Sequence, residues 1–222
     1  MKLLAYEVDK RSFLGIFNED ETWVYPISAA GMEYRSMKDL IREAGPSEME
    51  MLDYISKKAP GDVTGAAPVE EIKIVSPIPE PDQDIICLGI NYMDHAAESA
   101  RFQKEEFARP EKAIYFSKRV NRTNDPDGII PAHKNLTNQL DYEAELAVII
   151  KKDAKDVKPE EVKDYIFGYT IMNDVSAREV QTEHKQWYFG KSLDGFTPLG
   201  PCIMTVDSTA FPPVLKLQSK VN

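Results

Sequence analysis

Asp141, Glu143 and Glu145 stand at every second position of LDYEAELAVII, residues 140–150, directly ahead of an almost wholly apolar run. In an extended strand alternate side chains share a face, so this spacing aims three carboxylates one way. Ala147 and Ile149 follow on the same parity, so the acidic face turns apolar within two residues. Carboxylates crowded at the mouth of a buried face repel one another and resist desolvation; a divalent cation relieves both. A solvated acidic edge strand explains the same letters, and on this stretch alone both readings stand.

A second stretch shifts the balance. YIFGYTIMNDVSAREVQ is an apolar strand ending at Asn173 and Asp174, with Ser176 and Glu179 at capping-box spacing before a short helix. A carboxylate at a strand-to-helix junction is placed to project into a cleft, although Asn173 or Asp174 can equally cap the helix. Glu143, Glu145 and Asp174 together make an all-oxygen donor set, which suits Mg²⁺, with Mn²⁺ or Ca²⁺ as substitutes. No Cys or His cluster has zinc-ligand spacing.

In CLGINYMDHAAESA, His95 and Glu98 lie three apart and would be neighbours on one helix face. A carboxylate that orients an imidazole raises its basicity and makes a general base; a surface ion pair is the plainer alternative. GKS at 190–192 invites a phosphate-loop reading, but that motif needs a glycine at position 185, which is lysine. Lys191 is read instead as a point charge for an anionic group. Arg178 and Gln181 on the helix after Asp174, and Lys118 at the end of KAIYFSK, are further candidates for holding an anion, with solvation of an exposed face as the alternative for each. His133 and His184 are assigned no role.

The elements that must position these groups follow from local pattern. LLAYEV, SFLGIF and TWVYPI read as strands, then SMKDLIREAG and SEMEMLDYISKK as short helices, the second opened by Ser47 and Glu50. Pro77, Pro79 and Pro81 make an extended connector and the expected boundary between a small N-terminal α+β domain, residues 1–75, and a β-rich metal-binding catalytic domain, residues 76–222. Strands are expected at DIICLGI, KAIYFS, ELAVII, YIFGYTIM and PCIMTV, and short helices near 92–101, 158–164 and 177–185. The fold class is therefore α+β and β-rich, without the strand–helix alternation of a doubly wound sheet.

The chain's 222 residues and 42% apolar content allow a sizeable core. Its formal charge of −10 argues against nucleic acid and against an anionic membrane surface. Cys87 and Cys202 sit among apolar residues and read as buried free thiols. MKLLAYEVDK turns charged too early for a secretory leader, so a cytoplasmic protein is expected.

Taken in order, LGINYMDHAAE, LDYEAELAVII, IMNDVSAREVQ and GKSLDGFTPLGP resemble the fumarylacetoacetate hydrolase family over residues 75–206. The resemblance implies a mixed-sheet β-roll behind a small N-terminal domain, commonly as a homodimer. It implies Glu143, Glu145 and Asp174 as ligands of Mg²⁺, His95 and Glu98 as the dyad that activates water or moves a proton, and Lys191 and Gln181 as holders of substrate oxygens. Asn91 stands where the enzyme that names the family has a ligating aspartate, which points to the branch of acylpyruvate hydrolases, hydroxymuconate isomerases and decarboxylases. The implied chemistry is C–C bond hydrolysis in a 2-oxo acid or β-dicarbonyl compound through a metal-stabilised enolate. Isomerisation, decarboxylation, dehydration and a catalytically silent binding protein are the alternatives. The family's closing G-T-P-x-G loop does not follow PPVLKLQSKVN, so the C-terminal part is expected to be incomplete.

Overall fold

Residues 3–6 are buried on both faces of their strand, which is why LLAY is apolar throughout rather than alternating, while Glu7 and Val8 lie nearer the surface. Leu3 and Leu4 point to opposite sides of β1 (Lys2–Val8) and are both fully enclosed. The structure is a computed structural model, and it describes residues 1–89 and 112–221. His95, Glu98, Asn91 and the helix expected at 92–101 lie outside the described residues.

β1 pairs antiparallel with β2 (Arg11–Phe17), and β2 with β3 (Trp23–Pro26), as the three apolar runs predict. Two short strands, β4 (Ala67–Pro68) and β5 (Lys73–Val75), add to β3 and β1. Beyond the connector, β6 (Ile85–Leu88) and β7 (Tyr115–Lys118) form a separate antiparallel pair. β8 (Leu140–Asp141) pairs with β11 (Ser176–Ala177). β9 (Ala144–Ile150), β10 (Ile166–Asn173) and β12 (Leu199–Thr205) complete the main sheet.

Its strand order is β4-β3-β2-β1-β12-β10-β9, with β5 sharing the β12 edge of β1. Lys2 pairs with Met204 and Leu3 with Ile203, so the strands of residues 1–75 and those beyond 140 belong to one hydrogen-bonded sheet. One face is covered by α1 (Met37–Glu43) and α2 (Pro46–Ser56). Met37, Leu40, Ile41, Leu52 and Ile55 pack there on Leu3, Ile16, Phe167 and Ile203. The opposite face buries Leu4, Tyr6, Phe17 and Val24. This β-rich α+β architecture is the expected fold class.

Two helix starts differ from expectation. α2 opens at Pro46, and Glu48 rather than Glu50 reaches back, accepting from the Gly45 N–H at 2.8 Å. Proline at the first helical position has no N–H to satisfy, so it sets the start one residue before Ser47. α3 (Arg178–Glu183) has Ala177 at its N-cap, while Ser176 is held in β11. Glu179 instead accepts from Thr137 Oγ1 and the Asn138 N–H, fixing the approach to β8. Residues 159–165 form a 3-10 helix and α4 (Trp187–Lys191) follows α3. Among the described residues no helix is long and apolar enough to cross a membrane.

Candidate active site

The β9–β10 ladder sets the acidic face. Glu145 lies opposite Met172 and Ala144 opposite Asn173. One step on, the Asp174 N–H donates to the Glu143 carbonyl at 2.9 Å. Cross-strand partners share a face and parity repeats every second residue, so Glu143, Glu145 and Asp174 start from the same side of the ladder. Asp141 pairs with Ser176 in the short β8–β11 ribbon, which carries the β9–β10 register on past Tyr142 and Glu143. Arg178 Nη2 donates to both Asp141 and Glu143, so these two carboxylates share a side as alternation predicts.

Glu143 and Asp174 converge on one nitrogen. Lys191 Nζ donates to Glu143 Oε2 at 2.6 Å and to Asp174 Oδ2 at 2.7 Å. Lys118 Nζ donates to the other oxygen of Asp174 at 2.7 Å and to the Val175 carbonyl at 3.1 Å. Arg178 binds Asp141 through Nε and Nη2, Glu143 through Nη2, and Gln181 Oε1 through Nη1. Lys118 is 0% exposed, and Asp174 and Lys191 are 3% exposed each, so these are desolvated charges whose strength comes from low local dielectric. Burial lowers the proton affinity of Lys118, with Asp174 opposing it. For Arg178 burial also works against the charge but is outweighed by Asp141 and Glu143.

Each sequence candidate within the described residues can now be placed. Glu143, Asp174, Lys191, Arg178, Gln181 and Lys118 form one connected network. Solvation of an exposed face does not account for Lys118. The Cys87 thiol is pushed up to about 12, chiefly by burial, then by Asp174 and Glu145 against Lys118 and Lys191, which puts Glu145 in electrostatic reach of the same neighbourhood. Both cysteines are free, as expected, but half-buried rather than buried.

Gly190 explains why GKS carries a glycine without a phosphate loop. A Cβ there would lie 2.7 Å from the Gln181 nitrogen and 2.8 Å from the Ala177 carbonyl oxygen, so α4 can approach α3 only without one. That approach delivers Lys191 to the carboxylates. Sequence reasoning missed the aromatic wall beside it. The Phe116 ring centroid is 5.1 Å from Lys191 Nζ, and Trp187 meets Phe116 edge-on at 5.3 Å. Trp187 also covers Gly89, where a Cβ would sit 2.2 Å from its ring. The available signal was positional: Phe116 is two residues before Lys118 and Trp187 four before Lys191.

The donor set fits a hard divalent cation in kind. Its oxygens come from carboxylates, two of which already share one cation. Among the described residues, no three His, Cys, Asp or Glu side chains stand together as a metal-holding group. The convergence seen is therefore that of Glu143 and Asp174.

Comparison with known proteins bears on this arrangement. The family model for the C-terminal domain of fumarylacetoacetate hydrolase matches residues 84–222. Oxaloacetate tautomerase YisK of Bacillus subtilis is 41% identical over the whole of this chain, which spans 75% of that protein. A solved fumarylacetoacetate hydrolase from Exiguobacterium antarcticum is 32% identical with a TM-score of 0.71, over 95% of this chain and 68% of its own. Maleylpyruvate hydrolase from Sphingobium sp. SYK-6, solved with manganese(II) and pyruvate, is 26% identical with a TM-score of 0.65, over 94% of this chain and 69% of its own.

Proposed function

Since the chain belongs to the fumarylacetoacetate hydrolase family, we propose that it is a divalent-metal-dependent enzyme that moves a proton next to the oxo group of a small 2-oxo dicarboxylate, interconverting keto and enol forms. The observation that carries this reading is the convergence of Glu143 and Asp174 on Lys191 Nζ, at 2.6 and 2.7 Å, beside Arg178. Buried carboxylates suit a hard cation, and cations beside them suit a substrate that brings its own negative charge. The 41% identity to an oxaloacetate tautomerase supports the choice of reaction.

In this reading Glu143, Asp174 and Glu145 hold the metal, Mg²⁺ first with Mn²⁺ or Ca²⁺ as substitutes. When bound, it supplies Lewis-acid polarisation of the substrate's carboxylate and oxo oxygens. Lys191 faces the charge that develops on the oxo oxygen, a preorganised donor of the kind that lowers a barrier most. Arg178 and Gln181 bind the outer carboxylate, and Lys118 acts from behind Asp174. Phe116 and Trp187 exclude water on one side of Lys191. His95, oriented by Glu98, takes the proton from the carbon next to the oxo group and returns it to oxygen. These two assignments rest on the sequence. A homodimer and a cytoplasmic location belong to the same reading; light scattering on the purified protein tests the first.

C–C bond hydrolysis, the activity expected from the motifs, is the second reading, favoured by the likeness to maleylpyruvate hydrolase. The two share every group above and differ in whether His95 carries a proton from carbon to oxygen or activates water. Ultraviolet absorbance of oxaloacetate equilibrating between keto and enol forms, with and without Mg²⁺, tests the first. NMR product analysis on acylpyruvates tests the second. Glu143→Ala is expected to abolish whichever rate is metal-dependent, and full activity in that variant removes the metal site. His95→Ala is expected to depress turnover far more than metal binding; an equal loss of both makes His95 structural.

A further inference from the structure

Lys191 holds the oxygens that a metal would need. Its ammonium touches Glu143 Oε2 and Asp174 Oδ2, two carboxylate oxygens that meet at its Nζ. We propose that Lys191 and the divalent ion compete for these two oxygens, so that metal entry releases Lys191 and the released ammonium becomes the binding group for the anionic substrate. This rests on the metal-dependent reading above and adds an order of events to it, with metal and substrate anion binding cooperatively.

Three features single out Lys191 rather than Lys118 as the side chain that leaves. Lys118 is completely enclosed and holds a backbone carbonyl as well as Asp174. It keeps Asp174 paired through Oδ1 after Oδ2 has changed partner, so the exchange does not strand a buried carboxylate. Lys191, in contrast, ends a five-residue helix and has the Phe116 ring 5.1 Å from its Nζ. A cation over an aromatic face keeps part of its stabilisation without water. Charge balance points the same way. Among the described residues Lys118, Lys191 and Arg178 stand against Asp141, Glu143, Glu145 and Asp174, so a doubly charged cation turns a deficit of one positive charge into an excess of one, which an incoming anion offsets.

Calorimetric titration of MnCl₂ into the wild-type protein and into Lys191→Met tests this, with circular dichroism as a check of folding. Removal of the competing ammonium is expected to tighten Mn²⁺ binding tenfold or more. Oxalate, which mimics the carboxylate and adjacent oxo oxygen, is expected to strengthen Mn²⁺ binding to wild type and much less to Lys191→Met. Equal or weaker Mn²⁺ binding by a folded Lys191→Met overturns the competition and leaves the metal site standing. An equal gain from oxalate in both proteins overturns the transfer of Lys191 to the anion. Absence of Mn²⁺ binding to wild type removes the metal reading and this inference with it. Should Lys191→Met not fold, Lys191→Arg carries the test. Its guanidinium can grip both carboxylates, so weaker Mn²⁺ binding than wild type is expected, and unchanged or tighter binding overturns the proposal.

Discussion

Asp174 gives each of its oxygens to a different lysine, and one of those lysines has no other side-chain hydrogen-bond partner among the described residues, so the acidic residues of this site are not equivalent. Asp174→Ala leaves Lys118 enclosed with only a carbonyl to face it, and an unanswered buried charge costs about 3–5 kcal/mol. Glu143→Ala leaves Lys191 with Asp174 and Arg178 with Asp141, so its cost is about 1–2 kcal/mol. Urea unfolding is expected to rank the two variants in that order, and equal losses contradict the pairing described. Glu143, Asp174 and Lys191 were legible as a set because three motifs carry them in order. The burial of Lys118 was not, since KAIYFSK is followed by Arg119 and nothing in the letters separates a lysine at an exposed strand end from one folded inward. Asp141 and Glu143 were legible as neighbours on one face from alternation alone, but that Arg178 would bridge them was not, since it comes from a distant segment.

At the level of elements, the short helices matter for what they bring close. Gly190→Ala introduces a methyl group against backbone atoms of α3 that have no freedom to rotate away, a strain of about 1–3 kcal/mol. Because it separates α4 from α3, it is also expected to weaken Mn²⁺ binding, measured by titration beside a thermal melt. Ser36 caps α1 by accepting from the Asp39 N–H at 3.2 Å, and Ser36→Ala is expected to cost about 1 kcal/mol without touching the site. Asp82 ties the connector to α1. Hydrogen bonding from Lys38, then the charges of Lys38 and Arg42, hold its carboxyl below the ordinary range against some desolvation. The sign follows from linkage: the stabilisation is complete above the unfolded carboxylate's titration, near pH 4, and is lost as pH falls from there through the lowered titration of the folded state. Asp82→Asn is expected to remove that part of the acid limb, at most about 0.5 kcal/mol for a pair this exposed, and less at high salt. The strands were readable since most are continuous apolar runs bounded by turn residues. The helix starts were not, because several polar residues near each start offer the same local chemistry and tertiary packing chooses among them.

Across the whole molecule, the main sheet runs from β4 to β9 without interruption, and the joint is β1 against β12. The chain has two tryptophans, one on β3 and one beside the site in α4, which makes each half separately visible. Trp187→Phe reports through Trp23 and Trp23→Phe through Trp187, and their urea midpoints are expected to coincide. Separate midpoints would give residues 1–75 a stability of their own. The proline-rich connector suggested a boundary near 75, but a pairing that joins Leu3 to Ile203 leaves no local trace in either segment. The interleaved charges around Asp174 also constrain how such a protein can diverge. A lone replacement at Asp174 leaves the enclosed Lys118 with only a backbone carbonyl among the described residues, whereas a matched replacement of both does not. Drift at these positions should therefore proceed by compensated steps, and a library that randomises them singly will look intolerant where one that varies them in pairs recovers folded molecules.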